Sequence, residues 1–332
     1  MQTVAQRAGV SLATVSHVLN GTRYVSAETT ALVQRAVEEI GYVPNTIARD
    51  LARNSTSTIG LVFSLTVNAF FLDIISAIEK ECRRVGLSVL LFDSNDDPAK
   101  EYRIVRDLHQ RRVDGIILAP SAGPDSAALD YLHEQAVPAV LVDRLADPRF
   151  DQVGLDNREA VRLLTDHLIG LGHRRIAMIP GHGTYTTTME RIDAFREALH
   201  AYGMLDERLI TSPANRMEEA AANMSWLLDA SGGAPDVVLA GNNLCTLGAM
   251  HEISRRGLKV PGDIALAGID DFEWAESFEP RLTVVRQPCS AIGRTAADMI
   301  RRRVAMKDVP LEARRLRPEL VVRRSCGHNG RG

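Results

Sequence analysis

The stretch Val10-Ser11-Leu12-Ala13-Thr14-Val15-Ser16-His17-Val18-Leu19-Asn20-Gly21 decides how this chain is read. Ser11 is a good N-cap, because its hydroxyl can accept from a free amide of the first turn. Asn20-Gly21 is a good stop, because glycine tolerates the left-handed backbone at a helix end. Just upstream, Ala5-Gln6-Arg7-Ala8 forms a short helical segment closed by Gly9. Two short helices joined at a glycine, with Val15 facing inward, have helix-turn-helix spacing; the second helix then exposes Leu12, Ala13, Ser16 and His17. A third helix follows, with Ser26 as cap, Leu32, Val33, Ala36, Val37 and Ile40 as apolar stripe, and Gly41 as stop. The result is a small all-α head whose core is barely sufficient.

Outward from the head, Pro44-Asn45 precedes a short segment, Thr46 to Arg53, and Asn54-Ser55-Thr56-Ser57-Thr58 reads as a polar linker. A helix that short needs a partner to form. From Thr58 the pattern changes to strand–helix alternation. The expected strands are Ile59–Phe63, Ser88–Phe92, Gly115–Ala119 and Ala139–Val142, then Arg175–Ile179, Val237–Ala240, Ile264–Gly268 and Leu282–Arg286. The expected helices between them cover Leu72–Val85, Lys100–Arg111, Ala127–Gln135, Arg158–Gly170, Met189–Tyr202, Met217–Leu228 and Thr246–Arg256. Such alternation predicts α/β lobes with parallel sheets. Ligands bind beyond the carboxyl ends of such strands, so two facing edges would form a cleft. The expected division is a head at 1–44, a hinge and linker at 45–57, and a two-lobed body at 58–332. Its N-lobe takes 58–155 and 287–315; its C-lobe takes 156–286 and 316–332.

The 332 residues are 45% hydrophobic and 24% charged, ordinary for a globular chain. No apolar run approaches the ~18 residues of a membrane span, and the N-terminus lacks a basic-then-apolar leader. Cys82, Cys245, Cys289 and Cys326 show no C-x-x-C or zinc spacing, so the expectation is no metal, no cofactor and a reducing cytoplasm. The net charge of −3 conceals a gradient: residues 1–53 are slightly basic, while 54–300 carry 24 basic against 35 acidic residues. An acidic body would present only its head to a polyanion. The basic run Arg301-Arg302-Arg303 reads as a solvated helix face. Gly181-His182-Gly183 is too weak to be a phosphate loop, and the chain has no P-loop, H-E-x-x-H or G-x-S-x-G string. An enzyme is not expected.

The whole string resembles the LacI/GalR family of bacterial transcription regulators. Val10 to Gly21 carries its Val-Ser-x-x-Thr-Val-Ser-x-Val-Leu-Asn-Gly pattern, and Gly41 to Leu51 its Gly-Tyr-x-Pro-Asn-x-x-Ala-Arg-x-Leu hinge. Further matches are Thr58-Ile59-Gly60-Leu61-Val62, Arg112-Val113-Asp114-Gly115-Ile116-Ile117, Val142-Asp143-Arg144, Gly170-Leu171-Gly172-His173-Arg174-Arg175-Ile176 and Gly268-Ile269-Asp270-Asp271. Within the family, the Thr14–His17 run is most similar to a purine-responsive member.

The resemblance implies a periplasmic-binding-protein-like effector domain and a homodimer that binds double-stranded operator DNA under control of a small-molecule effector. Leu12, Ala13 and His17 fall where base-reading side chains sit. The first two could meet only thymine methyls, and His17 could donate to a purine acceptor. Ser11, Thr14, Ser16 and Asn20 would fix phosphates and register. Asn45 and Arg49 match the hinge, and Leu51 its leucine, a wedge for the minor groove. For the effector, Phe70 and Phe71 match a loop whose ring stacks on ligand. Asp143, Arg144, Tyr185, Thr187, Arg191, Asn215, Asn242 and Asp270 complete the ring. Arg with Asp suits vicinal hydroxyls, which favours a sugar over a purine. Many members carry Asn-Asp where this chain has Asn242-Asn243, and Tyr185 replaces a Ser or Arg.

Overall fold

The computed structural model describes residues 1–21, 23–42, 55–65, 70–123, 125–183, 185–229, 233–277, 279–306 and 308–327, with the backbone alone at 273 and 274. They fall into two compact units, Met1–Ser57 and Thr58–Gly332. The hinge segment around Asn45, Arg49 and Leu51 lies outside the described residues.

In the first unit, helices α1 (Gln2–Ala8), α2 (Leu12–Asn20) and α3 (Ala27–Ile40) each end at a glycine, Gly9, Gly21 and Gly41, with φ near +60°. The Ser11 hydroxyl accepts from Thr14 N at 3.0 Å and the Ser26 hydroxyl from Thr29 N at 3.3 Å, satisfying amides that a first turn leaves free. Val4, Val15 and Val33 are fully buried, one from each helix, so the three-helix core rests on small β-branched side chains that let the helices approach closely.

In the second unit, one six-stranded sheet has the order β10-β5-β4-β3-β1-β2 and is parallel throughout. Its strands are β1 (Thr58–Phe63), β2 (Ser88–Asp93), β3 (Gly115–Leu118), β4 (Ala139–Val142), β5 (Asp151–Leu155) and β10 (Ala313–Leu316). The other sheet has the order β11-β9-β8-β7-β6, from β6 (Ile176–Ile179), β7 (Val237–Ala240), β8 (Ala265–Ile269), β9 (Thr283–Arg286) and β11 (Glu319–Val321). Both sheets are sandwiched between helices. Ile59, Leu61 and Phe63 face one core while Val62 faces the other, as the two-residue period of a doubly covered strand requires. In the N-lobe, α4 (Phe71–Arg84) and α11 (Cys289–Ala305) cover one face, and α5 (Pro98–Gln110) and α6 (Ala127–Glu134) the other. In the C-lobe, α7 (Asn157–Gly170) and α8 (Thr186–Ala201) lie opposite α9 (Met217–Leu228) and α10 (Asn243–Arg255). The paired helices α4/α11 and α9/α10 cross so closely that a Cβ at Gly293 would strike Ile74 O, and one at Gly248 would strike Met217 O.

Three departures from the sequence reading have physical causes. Strands β5 and β10 carry too many polar residues to register as apolar runs, and β11, only three residues long, pairs antiparallel with β9. Helix α8 begins at Thr186, three residues before the expected start, because a run of threonines hides its first turn. The Arg301–Arg303 run is not simply a solvated face. Only Arg301 is exposed, whereas Arg303 turns inward to Asp151 at 2.9 Å and Arg302 pairs with Glu312.

The chain passes between the lobes three times: at Asp156 between β5 and α7, at Gln287-Pro288 between β9 and α11, and at Arg317-Pro318 between β10 and β11.

Candidate functional site

The carboxyl ends of the two sheets enclose one cavity. Every residue in the expected effector set lines it: Phe70, Phe71, Asp143, Arg144, Tyr185, Thr187, Arg191, Asn215, Asn242 and Asp270. Asp96, His182, Thr188 and Gln287 join them. Asp96 lies three residues beyond the end of β2, so the rule that ligands lie beyond strand carboxyl ends points to it. His182 follows β6 in the loop whose glycines drew attention to a phosphate.

The two aspartates occupy equivalent places in the two lobes. Asp143 follows β4 with φ 67°, and Asp270 follows β8 with φ 83°. A left-handed backbone at two buried non-glycine residues stores strain, and such strain gathers at functional sites. Asp270 is held by its own lobe and by the middle crossing: Oδ2 accepts from Asn243 N at 3.2 Å, and Oδ1 accepts from Gln287 Nε2 at 2.6 Å. It therefore anchors the start of α10. Asn242 caps that same helix, accepting from Cys245 N at 2.9 Å. Burial pushes the Asp143 carboxyl up to about 6, against the pull of Arg144 and Arg191.

Arg191, on the second turn of α8, is 6% exposed. Its Nε donates to Asn157 Oδ1 at 2.8 Å and its Nη1 to Gly241 O at 2.6 Å. Asn157 Nδ2 in turn donates to Glu190 Oε2 at 2.8 Å, and Glu190 accepts a bidentate pair from Arg315 of β10 at 2.6 and 2.9 Å. A continuous polar path thus runs from the cavity to the edge strand of the opposite lobe.

Two aromatic residues of the cavity, Phe71, expected to stack on ligand, and Tyr185, differ in kind. Phe71 is 1% exposed and packs on Phe63 with centroids 5.3 Å apart, so it belongs mainly to the N-lobe core. Tyr185 offers a broader platform: its ring stacks on His182 at 4.1 Å and 14°. Burial holds the His182 imidazole below its usual range and the Tyr185 phenol above its own. Asn215 sits at the exposed lip, its backbone amide donating to Glu219 at 2.7 Å, while Thr187 is buried.

Beside the cavity, Glu101 of α5 is fully buried, and its Oε2 accepts from both Ser121 N and Ser121 Oγ at 2.7 Å. This fixes the turn after β3, whose Pro120 carbonyl accepts from Arg144 Nη1 at 2.8 Å. Burial raises the Glu101 carboxyl to about 7.

In the head, α2 presents Ser11, Leu12 and Ala13 to solvent, with Leu12 52% exposed. Thr14, Ser16, His17 and Asn20 are half-buried on the same helix; Ser11 and Thr14 share a 2.8 Å hydroxyl bond, and Asn20 Nδ2 donates to Ser16 Oγ at 3.2 Å. Among the described residues, no cluster of His, Cys, Asp and Glu fits a metal ion, and no helix is long and apolar enough to cross a membrane.

Comparison with known proteins follows the same division. Residues 1–45 match the profile described as bacterial regulatory proteins, lacI family, and residues 56–317 match periplasmic binding proteins and sugar binding domain of LacI family. The chain is 32% identical to the HTH-type transcriptional repressor PurR of Vibrio atlanticus (strain LGP32) over 96% of each chain. It is 34% identical to that of Klebsiella pneumoniae (strain 342), over 97% of this chain and 95% of the other. Among solved structures, the transcriptional regulator CelR–cellobiose complex shares 34% identity with TM-score 0.75, and a lac repressor dimer bound to operator and the anti-inducer ONPF shares 27% with TM-score 0.87. Each covers 98% of both chains.

Proposed function

Because this chain belongs to the LacI family of bacterial transcription regulators, we propose that it is a dimeric repressor whose grip on operator DNA is set by a neutral sugar bound between its lobes. That it is a DNA-binding regulator under ligand control follows from the family; the sugar and the residues that hold it are our reading. One observation carries it: the facing sheet edges converge Asp143, Arg191 and Asp270 with Thr187, Asn215 and Asn242 on one cavity. Carboxylates accept from hydroxyls and a guanidinium donates in a fork, the pairing that vicinal diols need. Three carboxylates, with Asp96, oppose two guanidiniums, and both guanidiniums already have protein partners. The excess of carboxylates over guanidiniums disfavours a phosphorylated sugar, which would bring further negative charge, while each guanidinium keeps N–H donors for hydroxyls.

In this reading Leu12, Ala13 and His17 meet bases in the major groove while Ser11, Thr14, Ser16 and Asn20 hold phosphates. Asn45, Arg49 and Leu51 form the hinge contact. The relatives' dimer bound to operator supports a two-fold protein on a near-palindromic site. The chain acts as a regulator and not as an enzyme, and in the cytoplasm, where its DNA is. The alternative effector is a purine, favoured by the flat His182–Tyr185 stack and by the PurR relatives.

The test is a thermal-shift screen of neutral sugars (cellobiose included), sugar phosphates and purines, followed by operator binding with each hit. A ligand at 100 times its Kd stabilises the native state by about 2.7 kcal/mol. A neutral sugar that raises Tm and changes operator affinity supports the reading. A hit only among purines or phosphates moves it to that class.

A further inference from the structure

The cavity between the lobes is only about 50 Å³, far short of the roughly 300–1,000 Å³ of a ligand pocket. What fills it is a side chain. Arg144 leaves the end of β4 in the N-lobe and lays its guanidinium 3.5 Å from the centroid of the Tyr185 ring, which belongs to the C-lobe. Since His182 stacks on that same ring at 4.1 Å, the two groups take its opposite faces. Arg144 Nη1 donates to Asp96 Oδ1 at 2.7 Å and to Pro120 O at 2.8 Å, and Arg144 and Asp96 are both more than nine-tenths buried on their side chains. Arg144 Nε is buried and has no hydrogen-bond partner, its nearest charge being Asp143 Oδ2 at 3.9 Å. A charged group held this way, stacked but incompletely bonded, is seated for its flat face and its fit to Asp96.

We propose that Arg144 is a resident occupant of the cleft: its guanidinium takes the seat on Tyr185 that an effector's flat face takes, clasps the two lobes together without ligand, and has to leave before an effector binds. This rests on the cleft being the effector site, and it adds what governs entry. The vacated seat is a flat aromatic face beside Asp96, Asp143 and Asp270, so it selects a ligand with a stacking face and several hydrogen-bond donors, and repels anions. Competition with an internal occupant lowers the apparent affinity by the fraction of molecules in which the seat is free. A desolvated cation–π contact of this kind keeps that fraction small, so removing the guanidinium strengthens binding of a stacking sugar by about 10–30-fold.

The experiment uses the full chain without effector or operator, so its failure is separate from failure of the sugar reading. Small-angle X-ray scattering and amide exchange are recorded for the parent, Arg144→Ala, Arg144→Lys and Tyr185→Leu. Arg144→Ala is expected to enlarge the radius of gyration and to speed exchange at residues 94–97 and 185–188. Arg144→Lys, which keeps the charge near Asp96 but lacks the flat face, is expected to open likewise. Tyr185→Leu attacks the clasp from the other lobe and serves if the arginine variants fold poorly. Millimolar methylguanidinium should close Arg144→Ala again and leave the parent and Tyr185→Leu unchanged. Parent-like scattering and exchange in Arg144→Ala and Tyr185→Leu would overturn the proposal. So would closure retained in Arg144→Lys, which would mean that positive charge over the ring is enough and that no flat seat is being filled.

Discussion

Replacing Arg191 by alanine separates what this side chain does for the fold from what it does for the ligand. In the structure Arg191 serves two acceptors, Asn157 Oδ1 and Gly241 O. Truncation strands both, and a buried acceptor left without a partner costs about 1–3 kcal/mol. The expected loss of stability is therefore roughly 2–6 kcal/mol, a large share of the ~5–15 kcal/mol typical of a folded domain. Arg191→Lys can still serve one acceptor and should lose about half as much. For the ligand, a charge-assisted hydrogen bond worth ~1.5–3 kcal/mol corresponds to a loss of about 10–150-fold in affinity. Urea denaturation followed by circular dichroism gives the first number, and calorimetry with a sugar found by screening gives the second. Operator affinity without ligand should stay near the parent's. If Arg191→Ala is folded and binds that sugar as tightly as the parent, Arg191 has no part in recognition and the diol argument is wrong.

Three further outcomes are expected. Glu101 holds its proton more tightly in the folded chain than the ordinary carboxyl does, so its contribution to stability falls as pH rises between about 4.5 and 7, by on the order of 3 kcal/mol; Glu101→Gln should flatten the stability curve in that window, and an unchanged slope by denaturant titration at pH 5, 6 and 7.5 would reject the assignment. Leu51→Ala should weaken specific operator binding by a few kcal/mol while leaving random DNA almost untouched, because non-specific binding rests on phosphate charge; equal loss on both DNAs in an anisotropy titration would count against a wedge. Operator and effector should be coupled by roughly 1–3 kcal/mol in both directions, so sugar affinity measured with and without operator must shift by the same factor as operator affinity measured with and without sugar.

Much of the body is legible in its residues, and the parts that are not share a cause. β1 and β4 announce themselves because every residue from Ile59 to Phe63 and from Ala139 to Val142 is buried in apolar surroundings. β5 does not, because Asp151 and Gln152 are buried polar residues whose partners lie far along the chain: Arg303 and Glu312 N satisfy Asp151. Hydrophobic pattern cannot foresee a carboxylate made welcome by an arginine 152 residues away. β10 fails for the opposite reason, since Arg314 and Arg315 lie on an exposed edge. In the cleft, the residues named from resemblance do line one cavity, but their division of labour was hidden. That Phe71 belongs to the core and that Arg144 stacks on a ring from the other lobe depend on rotamers and on closure, neither of which a one-dimensional string contains.

The three passages between the lobes have a mechanical meaning. In each lobe one helix pair is closely seated, since the crossings at Gly248 and Gly293 leave no room for a side chain between the helices. Two lobes joined by three short tethers at Asp156, Gln287 and Arg317 move most easily by a swing about the line the tethers define. Sliding and twisting would have to stretch at least one tether. Whatever enters the cleft is therefore converted into a single angle. Cleft side chains can change, and with them the molecule that is sensed, while the axis of the swing stays as it is.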